Sequence, residues 1–261
     1  MTDQTEPKKN RSQRLKELPF NRMIPNILTL LALAAGLTSI RYALLERWEH
    51  AVLSLVVAAV LDTMDGRVAR LLKGASRFGA ELDSLSDFVC FGVSPALILY
   101  LWAMQDAGRT GWILVMLFAM CCGLRLARFN VTSDDEQAPA WKANFFTGVP
   151  APAGAGLVLL PLILSFQVET ELFRDPWVVS AFLFVVGGLL VSSLPTFSFK
   201  KLKISRNFVL PTMLIVALIA AFSVSVPWLT LSSILGLYLC TFAFSYRLHH
   251  KYESEAKGPV A

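Results

Sequence analysis

Four aspartates, Asp62, Asp65, Asp83 and Asp87, stand inside or beside two apolar stretches of this chain. Asp62 and Asp65 are three residues apart and Asp83 and Asp87 are four apart, so each pair lies on one face of a helix. A carboxylate at the centre of a bilayer costs roughly 2.5 to 3.5 kcal/mol on the translocon scale. Because four such groups would also repel one another, the pattern predicts a shared divalent cation between two neighbouring helices.

The residues around the acids indicate which cation and which ligand this site would take. Oxygen ligands without paired His or Cys favour Mg²⁺ or Mn²⁺ over zinc, with Ca²⁺ left open as an occupant, and four carboxylates are enough for two ions. Gly66 and Gly79 lie on the same faces as the acids and allow a ligand to come close. The link between the two stretches is basic and contains Arg67, Arg70, Lys73 and Arg77. Acids that hold a metal beside Arg and Lys suit phosphate groups, so we interpret the segment as a pyrophosphate site.

The composition predicts an all-α polytopic membrane protein. Of the 261 residues, 55% are hydrophobic and 16% are charged, which is too apolar for an ordinary soluble domain. Stretches of about 20 apolar residues can cross the hydrocarbon core. We predict eight such helices, with six or seven left open, near residues 24–44, 51–70, 80–104, 110–130, 147–168, 177–197, 208–226 and 228–246.

The basic residues orient these helices. With eight spans, only Arg41, Arg47, Arg109 and Arg174 of the 24 Lys and Arg fall on the outer side, as the positive-inside rule expects. Residues 1–22 are then a cytoplasmic basic segment, 23–247 a transmembrane catalytic domain and 248–261 a cytoplasmic tail, with the acids at the cytoplasmic face. Anionic membrane lipids account for the net charge of +5, so no nucleic acid is expected as a partner.

Residues 62–87 resemble the sequence motif of a known family. They fit the pattern DxxDGxxARx₈GxxxDxxxD at every fixed position, and this pattern is similar to the signature of the CDP-alcohol phosphotransferases. The resemblance implies that Asp62, Asp65 and Asp83 bind metal and the pyrophosphate of a CDP-linked lipid. It implies that Asp87 acts as the base on an incoming alcohol and shares a metal ion. The fixed or basic residues expected to contact the CDP-lipid are Gly66, Ala69, Arg70, Arg77 and Gly79.

Three further segments resemble the bacterial members of that family that use serine as the alcohol. They are GVSPA, RLARFN and FxGxPxPA, between residues 92 and 153. Arg125, Arg128 and Asn130 are therefore expected to hold serine or a lipid phosphate, although snorkelling to anionic lipid explains an arginine pair about equally well. The segment PNILTL also looks like this family, in which it lines the nucleotide pocket, so Asn26 and Thr29 are expected to contact cytidine.

The resemblance predicts a phosphatidyl transfer from CDP-diacylglycerol to the hydroxyl of L-serine, with CMP as the leaving group, in the bacterial inner membrane. Choline, inositol phosphate and glycerol phosphate remain alternatives as acceptors, and a cation transporter is the alternative outside the family. The helices after residue 170 carry no recognised motif, and whether they face lipid or form a homodimer surface is left open.

Overall fold

A computed structural model describes residues 20–72, 74, 76–133, 145–168, 170–192, 195–197 and 209–240. The predicted cytoplasmic segments 1–22 and 248–261 therefore lie almost entirely outside the described residues, as does Lys73 of the basic link. The described part is helical apart from one short two-stranded ribbon, which confirms the prediction of an all-α polytopic membrane fold.

The first two helices form an antiparallel hairpin. Helix α1 (Phe20–Leu44) and helix α2 (Trp48–Leu71) pack along most of their length. Small side chains at the contact, including Ala32, Ala43, Ala51 and Ala58, are fully buried. Such residues let helices approach closely in a membrane, where apolar surface alone drives little association. The packing of this hairpin therefore determines where Asp62 and Asp65 of α2 lie along α1.

Helix α3 (Arg77–Met104) runs through the centre of the bundle. In its most apolar 18-residue window 61% of the residues are buried, against 28% in α1 and in helix α4 (Gly108–Ser133). Two stretches of α3 have π-helical hydrogen bonding, Phe88–Val93 and Tyr100–Met104. The first begins directly after Asp87, and π turns within α-helices are frequent at functional sites.

The remaining elements follow α4 in the chain. They are strand β1 (Phe145–Thr147), helix α5 (Ala151–Val158), helix α6 (Leu160–Ser165), a 3₁₀ turn (Glu171–Arg174), helix α7 (Pro176–Val191), strand β2 (Pro195–Phe197), helix α8 (Val209–Ser225) and helix α9 (Pro227–Cys240). The two strands pair antiparallel, with Phe146 opposite Thr196. Helix α7 packs mainly against α4, while α8 is exposed along almost all of its length.

The prediction of a single helix over 147–168 is wrong. β1 occupies its start, and the helix is interrupted at Leu159, between α5 and α6. Pro161 explains the interruption, because proline has no N–H for the residue four positions earlier and its ring clashes with that carbonyl. The predicted helix over 177–197 likewise ends at Val191 and is followed by β2. Three described helices, α1, α3 and α4, are long and apolar enough to cross a membrane by themselves, and the number of crossings stays a prediction.

Candidate active site

Three of the four aspartates come together between α2 and α3. One carboxylate oxygen from each of Asp62, Asp83 and Asp87 lies within 4.8 Å of the other two. The carboxyl groups of Asp62 and Asp87 are within hydrogen-bonding distance of each other. We call these three residues the acid cluster. Its members come from two helices that the sequence separates by a short link, as the spacing predicts.

Asp65 lies beside this cluster and is held by α1. Its side chain is only 4% exposed, and its Oδ2 accepts a 2.6 Å hydrogen bond from the Thr29 hydroxyl. The same hydroxyl oxygen is 3.1 Å from the carbonyl of Pro25. Thr29 therefore orients an acid inside the protein, and its expected contact with cytidine stays a prediction. Asp65 stays close enough to Asp62 and Asp83 for electrostatic interaction.

A line of small polar side chains fixes α3 against α1 directly beneath the acids. Ser86, Cys90 and Ser94 each donate a hydrogen bond to an α1 carbonyl, at 3.3, 3.4 and 3.1 Å. The acceptors are the carbonyls of Thr29, Ala32 and Gly36. Their spacing of four residues puts the three donors on one stripe of α3 next to Asp83 and Asp87. We call this stripe the α1–α3 seam. The sequence analysis did not predict this seam. Its signal in the sequence is the repeat of small polar residues every four positions within an apolar helix.

Asn26 and Gly79, two of the residues expected to contact the CDP-lipid, meet at the start of α3. Ser76 caps the helix and accepts a 3.0 Å hydrogen bond from the backbone N–H of Gly79. A Cβ on Gly79 would lie 2.9 Å from Asn26 Oδ1 and 3.1 Å from Ser76 Oγ. Glycine at this position thus allows α1 and α3 to approach each other. Asn26 is half-buried beside it, so the structure brings Asn26 and Gly79 to the same side of the acids.

The other residues expected to contact the CDP-lipid lie on the second half of α2 and the start of α3. A Cβ on Gly66 would meet nothing within 4 Å, so space is open next to Asp65 and Asp62. Ala69 is half-buried, and its carbonyl accepts a 2.9 Å hydrogen bond from the N–H of Gly74 at the end of the helix. Three arginine side chains in this region are exposed: Arg67, Arg70 and Arg77. They stand at the end of the bundle where the acids lie.

The three α4 residues expected to hold serine or phosphate have separate surroundings. Arg128 Nη1 donates a 2.8 Å hydrogen bond to the carbonyl of Val191, the last residue of α7. Asn130 Nδ2 donates a 2.9 Å hydrogen bond to Ser84 Oγ, which ties α4 to the α3 turn between Asp83 and Asp87. Arg125 is half-buried and interacts electrostatically with Asp87.

The donor set fits a hard divalent cation. Asp83 Oδ1 and Asp87 Oδ1 are buried and have no hydrogen-bond partner in the described part of the chain. An unsatisfied buried carboxylate oxygen is costly, and three clustered carboxylates add mutual repulsion. A cation that binds these oxygens removes both costs. Oxygen-only ligands at such spacing suit Mg²⁺ or Mn²⁺.

The comparisons with known proteins agree with this geometry. Residues 22–192 match the family model described as CDP-alcohol phosphatidyltransferase. A Mycobacterium bovis protein named CDP-diacylglycerol--serine O-phosphatidyltransferase is 39% identical over 87% of this chain and 79% of its own length. Proteins with the same name from Mycobacterium leprae and Helicobacter pylori are 38% and 33% identical, over 90% and 85% of this chain and 77% and 91% of their own lengths.

The family match spans the acid cluster, Asp65, the α1–α3 seam and the three α4 residues, up to the end of α7. The relatives also extend over most of this chain and most of their own lengths. The chain therefore belongs to the CDP-alcohol phosphatidyltransferase family.

Proposed function

We propose that this protein transfers the phosphatidyl group of CDP-diacylglycerol to the hydroxyl of L-serine and releases CMP. The observation that carries the proposal is the acid cluster, in which Asp62 of α2 meets Asp83 and Asp87 of α3 within 4.8 Å. The names of the relatives from Mycobacterium and Helicobacter support serine as the acceptor.

The proposed reaction is a direct displacement at phosphorus. The serine hydroxyl oxygen forms a bond to the phosphorus that bears diacylglycerol, and the bond from that phosphorus to the bridging oxygen breaks. CMP takes this bridging oxygen with its electron pair. Asp87 accepts the hydroxyl proton, a role that suits a buried carboxylate at hydrogen-bonding reach of the acceptor. No covalent enzyme intermediate is needed.

Asp62, Asp65 and Asp83 would hold Mg²⁺ or Mn²⁺, with Asp87 as a shared ligand, and two ions are the expected number. Such an ion would neutralise the charge of the pyrophosphate and stabilise charge on the leaving group. Thr29 keeps the Asp65 carboxylate oriented, because its hydroxyl donates to Oδ2 at 2.6 Å. The open space at Gly66 gives a phosphate room to approach the acids.

An apolar cavity next to the acids suits the lipid part of this substrate. It has a volume of about 440 Å³ and lies between α2, the α5–α6 segment and α9. Its α2 wall runs from Val52 to Arg67, which is about 22 Å at 1.5 Å per residue. That length exceeds half of the roughly 30 Å hydrocarbon core. We propose that an acyl chain lies in this cavity while Arg67, at its end, contacts the phosphates.

The proposed setting is the bacterial inner membrane, with the acid cluster facing the cytoplasm. The charge pattern supports this orientation, because the exposed Arg67, Arg70 and Arg77 lie at the same end of the bundle as the acids. CMP would then leave directly into the cytoplasm.

The test is an assay of purified protein in detergent with CDP-diacylglycerol, Mn²⁺ or Mg²⁺, and one alcohol at a time. The alcohols are L-serine, glycerol 3-phosphate, inositol 1-phosphate and choline, and the lipid product is identified by mass. We expect phosphatidylserine and stoichiometric CMP with L-serine, no turnover after chelation, and recovery when the metal is returned. A different lipid product would overturn serine as the acceptor, and CMP release unaffected by chelation would overturn the metal-assisted mechanism.

A further inference from the structure

We infer, on the basis of the proposed function, that helix α9 selects among lipid donors by the shape of their acyl chains. Its residues Leu231 and Leu235 form one wall of the apolar cavity. Helix α9 (Pro227–Cys240) lies beyond residues 22–192, so the match to the family model does not extend to this wall. Leu235 in particular is a determinant of donor specificity.

Helix α9 has two different faces. Leu231 and Leu235 are four residues apart and therefore lie on one side of the helix, where both line the cavity. Leu235 is only 7% exposed, whereas Leu237, on the opposite side, is 70% exposed. The packing of α9 thus separates the leucines that line the cavity from a leucine that faces away from the bundle.

The contact between α9 and α5 makes the width of the cavity depend on residue 235. A Cβ on Gly156 would lie 2.8 Å from Leu235 Cδ2 and 3.6 Å from Leu235 Cδ1. The glycine therefore makes room for the leucine, and both residues line the cavity. A smaller side chain at position 235 would widen the cavity at this level, and a larger one would narrow it.

Gln167, just after α6, holds α9 in place. Its Nε2 donates hydrogen bonds of 3.1 Å to the Trp228 carbonyl and to Ser232 Oγ. The ring centroids of Phe166 and Trp228 are 4.7 Å apart. Polar side chains that bond across helices contribute to helix association in a membrane. Helix α9 is therefore a fixed wall of the cavity, whereas α8 before it is exposed along almost all of its length.

The occupant that we assign to the cavity is an acyl chain of the donor. The α2 wall ends at Arg67, so a donor with its pyrophosphate at the acids can place a chain in the cavity. A chain that spans one leaflet covers about half of the roughly 30 Å hydrocarbon core, which fits along the α2 wall of about 22 Å. Transfer of a chain from the bilayer into this cavity gains little from the hydrophobic effect, because both surroundings are apolar. Selection among donors must therefore come from the fit of the chain between the walls.

Competition between donors tests this selection. Purified protein receives L-serine, Mn²⁺ and an equimolar mixture of CDP-diacylglycerols with straight saturated, cis-unsaturated or methyl-branched chains, and the lipid products are quantified by mass. We expect Leu235→Ala to raise the ratio of kinked and branched to straight products about tenfold, the lower end of what one methylene group changes in an apolar pocket. Leu235→Phe should lower the same ratio. Leu237→Ala, on the opposite side of α9, is the matched control and should keep the wild-type ratio.

Two outcomes would overturn the inference. An unchanged ratio in both Leu235 variants would show that the cavity holds another molecule, such as a bulk membrane lipid. An equal shift in Leu237→Ala would show that the cavity-lining face of α9 has no special role. Stabilisation by CDP-diacylglycerol in a thermal melt verifies that each variant is folded, and Leu231→Ala repeats the test at the less buried lining position. Because the acyl composition is measured independently of the head group, failure of serine as the acceptor would refute the proposed function and leave this test intact.

Discussion

The Thr29 hydroxyl of α1 donates a 2.6 Å hydrogen bond to Asp65 of α2, and both side chains are 4% exposed. This bond joins the first helix to the acids, although Thr29 is 36 residues away in the chain. Outer partners of metal ligands fix the orientation of the ligand and increase its basicity. The position of Asp65 therefore depends on how α1 packs against α2.

Thr29→Val tests this dependence. The variant keeps the shape of the side chain but leaves Asp65 Oδ2 without its donor, so we expect a loss of about 10- to 100-fold in Mn²⁺ affinity or activity. The measurement is the rate of CMP release as a function of Mn²⁺ concentration. Thr38→Val is the control, because among the described residues the Thr38 hydroxyl bonds only the carbonyl of Ala34 in its own helix. Equal metal dependence in the two variants would refute a role for Thr29 in orienting Asp65.

The site could be predicted from the sequence as far as helical periodicity extends. The spacings of Asp62, Asp83 and Asp87 place these acids on two helix faces, and their meeting within 4.8 Å follows once the helices are neighbours. The role of Thr29 could not be predicted, because a hydrogen bond across 36 residues depends on the rotation of α1 about its axis. The bond from Arg128 to the Val191 carbonyl could not be predicted either, because it depends on where α7 ends. The helix break at Leu159 could be predicted from Pro161. The apolar residues on both sides of it, however, favoured one continuous membrane helix.

Asp87→Asn should abolish turnover and preserve binding of the CDP-lipid. The amide keeps the size of the side chain but cannot accept the hydroxyl proton, and loss of a general base lowers the rate by about 10²- to 10⁴-fold. The measurements are kcat for CMP release and the shift in melting temperature caused by CDP-diacylglycerol. Glu81→Gln, an exposed carboxylate on the same helix, is the matched control and should leave both unchanged. Substantial turnover in Asp87→Asn would remove Asp87 from the role of base.

Gly66→Ala tests whether the pyrophosphate approaches α2 at this point. A Cβ here would meet nothing within 4 Å, and alanine favours a helix over glycine by about 1 kcal/mol, so the free protein should be at least as stable. A phosphate in this space would clash with the methyl group, and the KM for CDP-diacylglycerol should rise by about tenfold or more, a cost of at least about 1.4 kcal/mol. Gly188→Ala is the control, since it is an equally open helical position on α7. Unchanged kinetics in Gly66→Ala would place the phosphates elsewhere.

Gly36→Ala tests the α1–α3 seam, and a second substitution should rescue it. A Cβ on Gly36 would lie 2.5 Å from Cys90 Sγ and 3.3 Å from Cys90 Cα. Overpacking of this kind typically costs 1 to 3 kcal/mol, so the melting temperature in detergent should fall. Because the acids Asp83 and Asp87 continue the same helix, activity should fall with it. Cys90→Ala removes the sulfur atom and should restore much of the stability of Gly36→Ala, whereas by itself it loses the hydrogen bonds of the thiol with the Ala32 carbonyl and the Ser86 hydroxyl. A double variant no more stable than additivity predicts would show that the two residues are not in contact.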